Sequence, residues 1–310
     1  MKGCSNNKME SVKLQKFVSD CGLMSRRQAE NAISEGLFTV NGVTAVLGDR
    51  VIPGEDVVKY RDKVLKQNTK KYYIMLNKPQ GCVTTTSDEF GRDTVCSLID
   101  LPVRLYPVGR LDKNSEGLLI MTNDGEFANM MMHPRYDHKK RYLVITSGYA
   151  QNNDIDKMQH IRELDGEPIN PVEIKILERN DNATKFIFTL SEGKNREIRR
   201  ICEEVGLSVM QLKRFAVGPL QLGELESGNW RYLTPEEIKE LTKKNDNNKT
   251  KSVSERAGKQ RGGFVPDRQK RNNGNPHPNA GFGTDGKRTY KDNGTRNKSY
   301  GRKKRDGGAD

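Results

Sequence analysis

Residues 105–134 read LYPVGRLDKNSEGLLIMTNDGEFANMMMHP, and the layout of the chain can be worked outward from them. Leu118–Thr122 is a short apolar run of the kind that forms a buried strand, and Asn123-Asp124 caps it into a helix. Phe127, Met130 and Met131 fall at helical spacing, the Met130-Met131-Met132 run reads as helix packing, and Pro134 ends the element. Upstream, Tyr106-Pro107-Val108 leads into Gly109-Arg110-Leu111-Asp112. This places an aspartate in a short turn between two apolar stretches, with an arginine two residues before it. An aspartate so placed commonly closes a turn or caps a helix, so spacing alone assigns it no chemistry.

The alternation of strands and short helices extends over 71–242. Tyr72–Leu76, Tyr142–Thr146, Val172–Leu177 and Thr184–Leu190 read as strands, with Asn180-Asp181-Asn182 turning the last two into a hairpin. Lys194–Val205 reads as a helix stopped by Gly206, and Thr234-Pro235-Glu236-Glu237 opens a last helix through Leu241. Hairpin-type links predict an α+β domain with a mixed, largely antiparallel sheet. Ahead of it, residues 11–60 read as a helix–helix–hairpin unit. Val12, Leu14, Phe17 and Val18 have helical spacing up to Gly22, and Ser25 with Gln28 makes a capping box for a second helix ending at Gly36. Asn41-Gly42 turns Phe38–Val40 back into Val43–Leu47, and Val57–Tyr60 adds a strand. The polar residues 61–70 read as a linker.

Charge divides the chain unevenly. The 310 residues hold 54 Lys+Arg and 41 Asp+Glu, a net of +13. Residues 243–310 hold 19 and 7 of these, a net of +12, which leaves 35 and 34, a net of +1, for the first 242. With 11 Gly, 9 Asn and only nine apolar residues, that segment cannot offset about 1–2 kcal/mol of backbone entropy per residue, and it is predicted to be a disordered basic tail. Phe264, Phe282, Tyr290 and Tyr300, spread among its cations, suit contact with RNA; a purely solubilising tail is the plainer alternative. No apolar run approaches the roughly 20 residues that span a bilayer, and the N-terminus lacks the apolar stretch of a secretory signal. Five cysteines without a CxxC pair and four histidines without ligand spacing argue against a disulfide framework and a structural metal. A cytoplasmic protein without metal is the expectation.

Four segments in order, NKPQGCVTTTSD (77–88), the opening stretch (105–134), KKRYLV (139–144) and EGKNREIRRICEEVG (192–206), resemble the pseudouridine synthases, in the branch typified by RsuA, RluB and RluF. The 11–60 unit resembles the alpha-L RNA-binding module of that branch. The resemblance implies isomerisation of uridine within ribosomal RNA, alone or in a pre-ribosomal particle, without cofactor, nicotinamide, flavin or metal; a monomer is expected, although nothing in the residues fixes the oligomeric state. It implies that Asp112 is the catalytic carboxylate, either attacking as a nucleophile or removing a sugar proton to pass through a glycal. It further implies that Arg110 fills the space of the flipped base, Tyr142 stacks on the target uracil and Arg199 pairs with Asp112.

Ile198 and Ile201 should face the core with Arg199 and Arg200 to either side, while Arg196 and Arg200 share a face at i,i+4 and suit phosphate contact. Choosing Arg199 over Arg200 as the partner of Asp112 rests on the resemblance, and Glu197 stands where some relatives carry glutamine. Lys13, Lys16, Arg26 and Arg27 are the expected RNA contacts of the N-terminal unit; a solvated helix face is the alternative for each. Large-subunit rRNA is the expected substrate, with a small-subunit target, a non-catalytic rRNA-binding assembly factor and a base-excising glycosylase as rivals. A binding factor has no need of the Asp112 carboxylate, and a glycosylase would need a positioned water.

Overall fold

The computed structural model describes residues 10–86 and 88–243. The tail expected over 243–310 therefore lies, apart from Lys243, outside the described residues. In the N-terminal module, β1 (Val12–Lys13), α1 (Leu14–Asp20), α2 (Arg26–Ser34), β2 (Phe38–Val40), β3 (Val43–Thr44), β4 (Arg50–Val51), β5 (Val58–Tyr60) and β6 (Lys63–Val64) enclose a small core. Leu14, Phe17, Val18, Ala29, Ile33 and Phe38 fill it. The expected capping box forms, with the Ser25 hydroxyl accepting the Gln28 N–H at 3.2 Å and the Gln28 side chain accepting the Ser25 N–H at 2.9 Å. Asn41 adopts φ 52° and Gly42 φ 85°, the left-handed pair that a two-residue hairpin between β2 and β3 demands. One boundary is corrected. β6 pairs with β5, so residues 61–64 continue the module's sheet instead of forming linker; Arg61, at φ 54°, makes the tight turn that allows it.

The second domain continues with β7 (Tyr73–Lys78), β8 (Tyr106–Val108), β9 (Glu116–Thr122), α3 (Gly125–Met132), β10 (Lys140–Ser147), α4 (Asn152–His160), β11 (Glu163–Leu164) and β12 (Glu167–Pro168). It is completed by β13 (Glu173–Arg179), β14 (Ala183–Leu190), α5 (Glu197–Glu203), β15 (Val209–Val217), β16 (Leu220–Gln221), β17 (Trp230–Tyr232) and α6 (Pro235–Thr242). Nine strands form one mixed sheet in the order β13-β14-β10-β15-β9-β7-β17, with β8 beside β9 and β16 beside β15. Every pairing is antiparallel except β15 with β9, where Arg214 stands opposite Gly117. The α+β expectation holds, and the predicted Asn180 hairpin joins β13 to β14.

Both faces of the sheet are covered. On one, Tyr142, Val144, Phe186 and Phe188 pack with Met158 of α4 and Ile198 and Ile201 of α5. On the other, Met75, Leu118 and Ile120 pack with Phe127 and Met131 of α3 and Leu241 of α6. Two expectations are corrected here. The helix begun at Lys194 starts only at Glu197, because Arg196 lies in the left-handed region at φ 48° and cannot continue it backwards. The first strand does not stop at Asn77-Lys78 but runs through both, and the two side chains are buried at 3% and 0% exposure. Among the described residues no helix is long and apolar enough to cross a membrane, and Cys21, Cys82, Cys96 and Cys202 are free thiols.

Candidate active site

The face of the sheet carried by β10, β14 and β15 opens at one end into a cleft of about 560 Å³, within the range of volumes that hold small ligands. Its floor follows from strand periodicity. Lys140 and Tyr142 alternate down β10, Tyr142 stands opposite Phe188 and Arg214, and Leu190 and Leu212 complete the surface. Asp112 enters from the β8–β9 loop, half-buried, beside Arg110 and Ser115. The segment 191–196 and the start of α5 form the opposite wall, and Met132, His133 and Pro134 form a third side.

The Asp112 loop is fixed through its main chain. Thr84 Oγ1 donates to the Leu111 carbonyl at 2.6 Å and accepts the Leu111 N–H at 3.3 Å. The Gly81 N–H donates to the Lys113 carbonyl at 2.8 Å, and the Ser115 N–H closes the turn on the Asp112 carbonyl at 3.1 Å. From below, the Lys78 ammonium donates to the Ser115 carbonyl at 2.8 Å and the Pro79 carbonyl at 2.9 Å. Arg199 Nη2 donates to the Asn114 carbonyl at 2.9 Å, while its Nη1 reaches the Val209 carbonyl at 3.1 Å. Buried carbonyls left unpaired cost about 1–3 kcal/mol each, so these donors hold the loop in one position. Burial pushes the Lys78 ammonium and the Arg199 guanidinium below their usual ranges, and the charge of Asp112 works against that in both.

The structure brings together some of the expected residues and disperses others. Asp112, Arg110, Tyr142 and Arg196 line the cleft, Arg110 and Arg196 being exposed and Tyr142 only 8% exposed. Arg199 lies buried beneath the Asp112 loop and holds its main chain at the Asn114 carbonyl; no ion pair within 4 Å joins it to Asp112 among the described residues. Arg200 does not share a free face with Arg196. Its guanidinium binds the Asp165 carboxylate at 2.8 Å, and it does not line the cleft. In the module, Lys13, Arg26 and Arg27 are exposed, whereas Lys16 is engaged by Asp20 at 3.0 Å. Arg26 and Arg27 occupy the first turn of α2, where the helix dipole disfavours cations. Arg26 lies against the catalytic domain, 3.5 Å from where a side chain at Gly125 would begin.

Several cleft groups escaped the sequence reading. Met132, read as packing, is 50% exposed and accepts the Gly109 N–H on its sulfur at 3.1 Å. Arg214 is 5% exposed and donates from Nε to the Leu118 carbonyl at 2.8 Å. Burial, with Arg214 beside it, lowers the Lys140 pKa, and burial raises that of Glu197, whose Oε2 accepts the Lys194 N–H at 2.7 Å. A signal for Lys140 existed: it precedes Tyr142 by two, which in a strand puts both on one face.

Comparison with known proteins gives two family matches: RNA pseudouridylate synthase over residues 72–204 and S4 domain over residues 12–57. The chain is 41% identical over 238 residues to an uncharacterized RNA pseudouridine synthase of Aquifex aeolicus (strain VF5), covering 76% of this chain and 95% of that protein. It is 36% identical over 233 residues to the ribosomal large subunit pseudouridine synthase B of Bacillus subtilis (strain 168), covering 74% and 95%. A crystal structure of a pseudouridylate synthase superposes with a TM-score of 0.55 at 32% identity, covering 74% of this chain and 99% of that one.

Proposed function

The chain belongs to the RNA pseudouridine synthases, in the RsuA/RluB/RluF branch, and from that premise we propose that it isomerises uridine in large-subunit ribosomal RNA with Asp112 as the catalytic carboxylate. The reaction conserves atoms and electrons. The bond from ribose C1′ to uracil N1 breaks, a bond from C1′ to C5 forms, and C5 gives up a proton while N1 gains one. A balanced isomerisation requires no redox partner, only a way to hold the detached base and to support charge at the sugar.

The observation that carries this reading is the meeting in one cleft of a half-buried carboxylate on a pinned loop and a buried tyrosine ring on a rigid strand. The ring offers a stacking face worth about 1–3 kcal/mol to an extruded base. Extrusion itself costs a few kcal/mol, and Arg110, exposed at the rim two residues from Asp112, is placed to occupy the vacated stack. The Arg199 guanidinium beneath the loop holds the Asn114 carbonyl, fixing the main chain that would present Asp112 to the sugar or the base. Arg196 on the opposite wall and Arg26 and Arg27 on the module supply cations for phosphates. The name of the Bacillus subtilis relative favours a large-subunit target.

The test is a complementation in cells lacking the gene, with pseudouridines mapped across both ribosomal RNAs. Wild type should restore the missing modification in large-subunit RNA. Asp112→Asn should not, although the purified variant should bind the RNA with nearly unchanged affinity. A modification restored equally by both would overturn the role of Asp112, and an unchanged map in the deletion strain would overturn the substrate.

A further inference from the structure

Residues 83–86 leave the Asp112 loop and residues 88–95 return to it. The base of this excursion is stapled by the Val83 N–H donating to the Asp93 carbonyl at 2.9 Å and the Val95 N–H donating to the Val83 carbonyl at 3.0 Å. Thr84 ties that base to Leu111, the neighbour of Asp112. At its tip stands Phe90, which at 80% exposure is the most exposed large hydrophobic side chain among the described residues. An exposed phenylalanine alone needs no explanation. This one is held in place. The Asp88 carboxylate accepts the Phe90 N–H at 3.1 Å, the Arg92 N–H at 2.8 Å, and Arg92 Nε and Nη2 at 3.0 and 2.6 Å. The Arg92 guanidinium is thereby set over the Phe90 ring, 4.9 Å from its centroid.

Four hydrogen bonds and a cation over one ring face are an unusual expenditure on a loop tip, residues 89–93, that is exposed throughout. They pre-orient an aromatic surface toward solvent, which lowers the entropy cost of whatever stacks on it. The Asp88 side chain is 5% exposed, and its hydrogen bonds with Arg92 pull its pKa down to about 2, so the clasp is fully formed at neutral pH. Six residue steps lead from Thr84 to Phe90, at most about 20 Å of extended chain. The ring is therefore within reach of nucleotides adjoining one that is seated at Asp112.

Resting on the function proposed above, we infer that Phe90, clasped by Asp88 and Arg92, is a stacking platform for an unpaired base of the substrate RNA outside the cleft. The local charge says which part of the RNA it meets. Asp88, Glu89 and Asp93 outnumber Arg92, and Arg92 is already paired, so the loop offers little to a phosphate and an open π-face to a base. Its contribution to binding is accordingly insensitive to salt, unlike that of the basic residues.

The experiment uses the full chain and a single-stranded RNA oligonucleotide containing one uridine, with 2-aminopurine placed in turn at each neighbouring position. Wild type should quench the fluorophore at a defined neighbouring position. Phe90→Ala should abolish that quench and weaken binding by about 5- to 150-fold, equally at low and high salt, and Phe90→Trp should preserve both. At saturating RNA the turnover number of Phe90→Ala should match wild type, so the effect falls on KM. Because Phe90 is exposed, its replacement leaves the core untouched. Affinity unchanged in Phe90→Ala, or a loss seen only with assembled ribosomal particles and not with RNA, overturns the platform, the latter pointing to a protein partner. Binding is read without catalysis, so a wild type that stacks the base yet forms no pseudouridine counts against the proposed reaction and not against the platform.

Discussion

At the scale of single residues, Tyr142 shows how burial decides which substitution is informative. Its ring is 8% exposed and belongs to the main core with Val144, Phe186 and Phe188. Truncation to alanine would open a cavity costing about 3–5 kcal/mol in stability, and a lost activity would say nothing about stacking. Tyr142→Leu fills much of that volume without a π-face. Expected is near-normal turnover for Tyr142→Phe and a loss of about 5- to 150-fold in kcat/KM for Tyr142→Leu, with thermal unfolding of both monitored alongside. Equal activities would remove the stacking role. The GRLD turn was legible as a sequence because motif and candidate aspartate are contiguous. The donors that hold it were not. Lys78, Thr84 and Arg199 lie 37, 27 and 85 residues from the Ser115, Leu111 and Asn114 carbonyls they bind, and nothing local marks a lysine whose ammonium turns inward.

At the scale of elements, the contact that organises the sheet is its single parallel pair. β15 crosses β9 at Gly117, where an added Cβ would sit 2.2 Å from the Arg214 carbonyl oxygen, and φ is 106°. Only glycine permits both the conformation and the approach. Gly117→Ala should destabilise the protein by more than about 3 kcal/mol, read as a lowered denaturant midpoint, and activity should fall with folded fraction; an unchanged midpoint would contradict the register. The elements whose apolar periodicity is unbroken, β9, β10 and β14, were legible within one or two residues. β15 was not. Its buried series Leu212, Arg214, Ala216 contains a charge, whose Nε donates to the Leu118 carbonyl of a strand distant in sequence. The start of α5 was misread for a related reason: the left-handed Arg196, a conformation costing a non-glycine residue about 1–2 kcal/mol, is set by the cleft wall and leaves no mark in the sequence.

At the scale of the molecule, charge and catalysis are separated along the chain. The cleft belongs to a segment of nearly balanced charge, while residues 244–310 carry 18 Lys+Arg and 7 Asp+Glu. Truncation after Lys243 should lower affinity for ribosomal RNA most at low salt and reduce the slope of log affinity against log salt by about 0.7 for each phosphate no longer neutralised. Filter-binding titrations of the two chains over a salt series measure this, and parallel lines would deny the tail an electrostatic role. The main-chain cradle of Asp112 has a consequence in time. Its donors come from β7, the 79–84 segment and α5, and Arg199 is anchored in turn on Val209, at the start of β15, the strand that joins β10 to β9. During synthesis the aspartate emerges about a hundred residues before that strand does, and until then its loop lacks a fixed geometry. On the proposed role of Asp112, a nascent chain that has not yet delivered Val209 is expected to lack the pinned loop, and with it the activity.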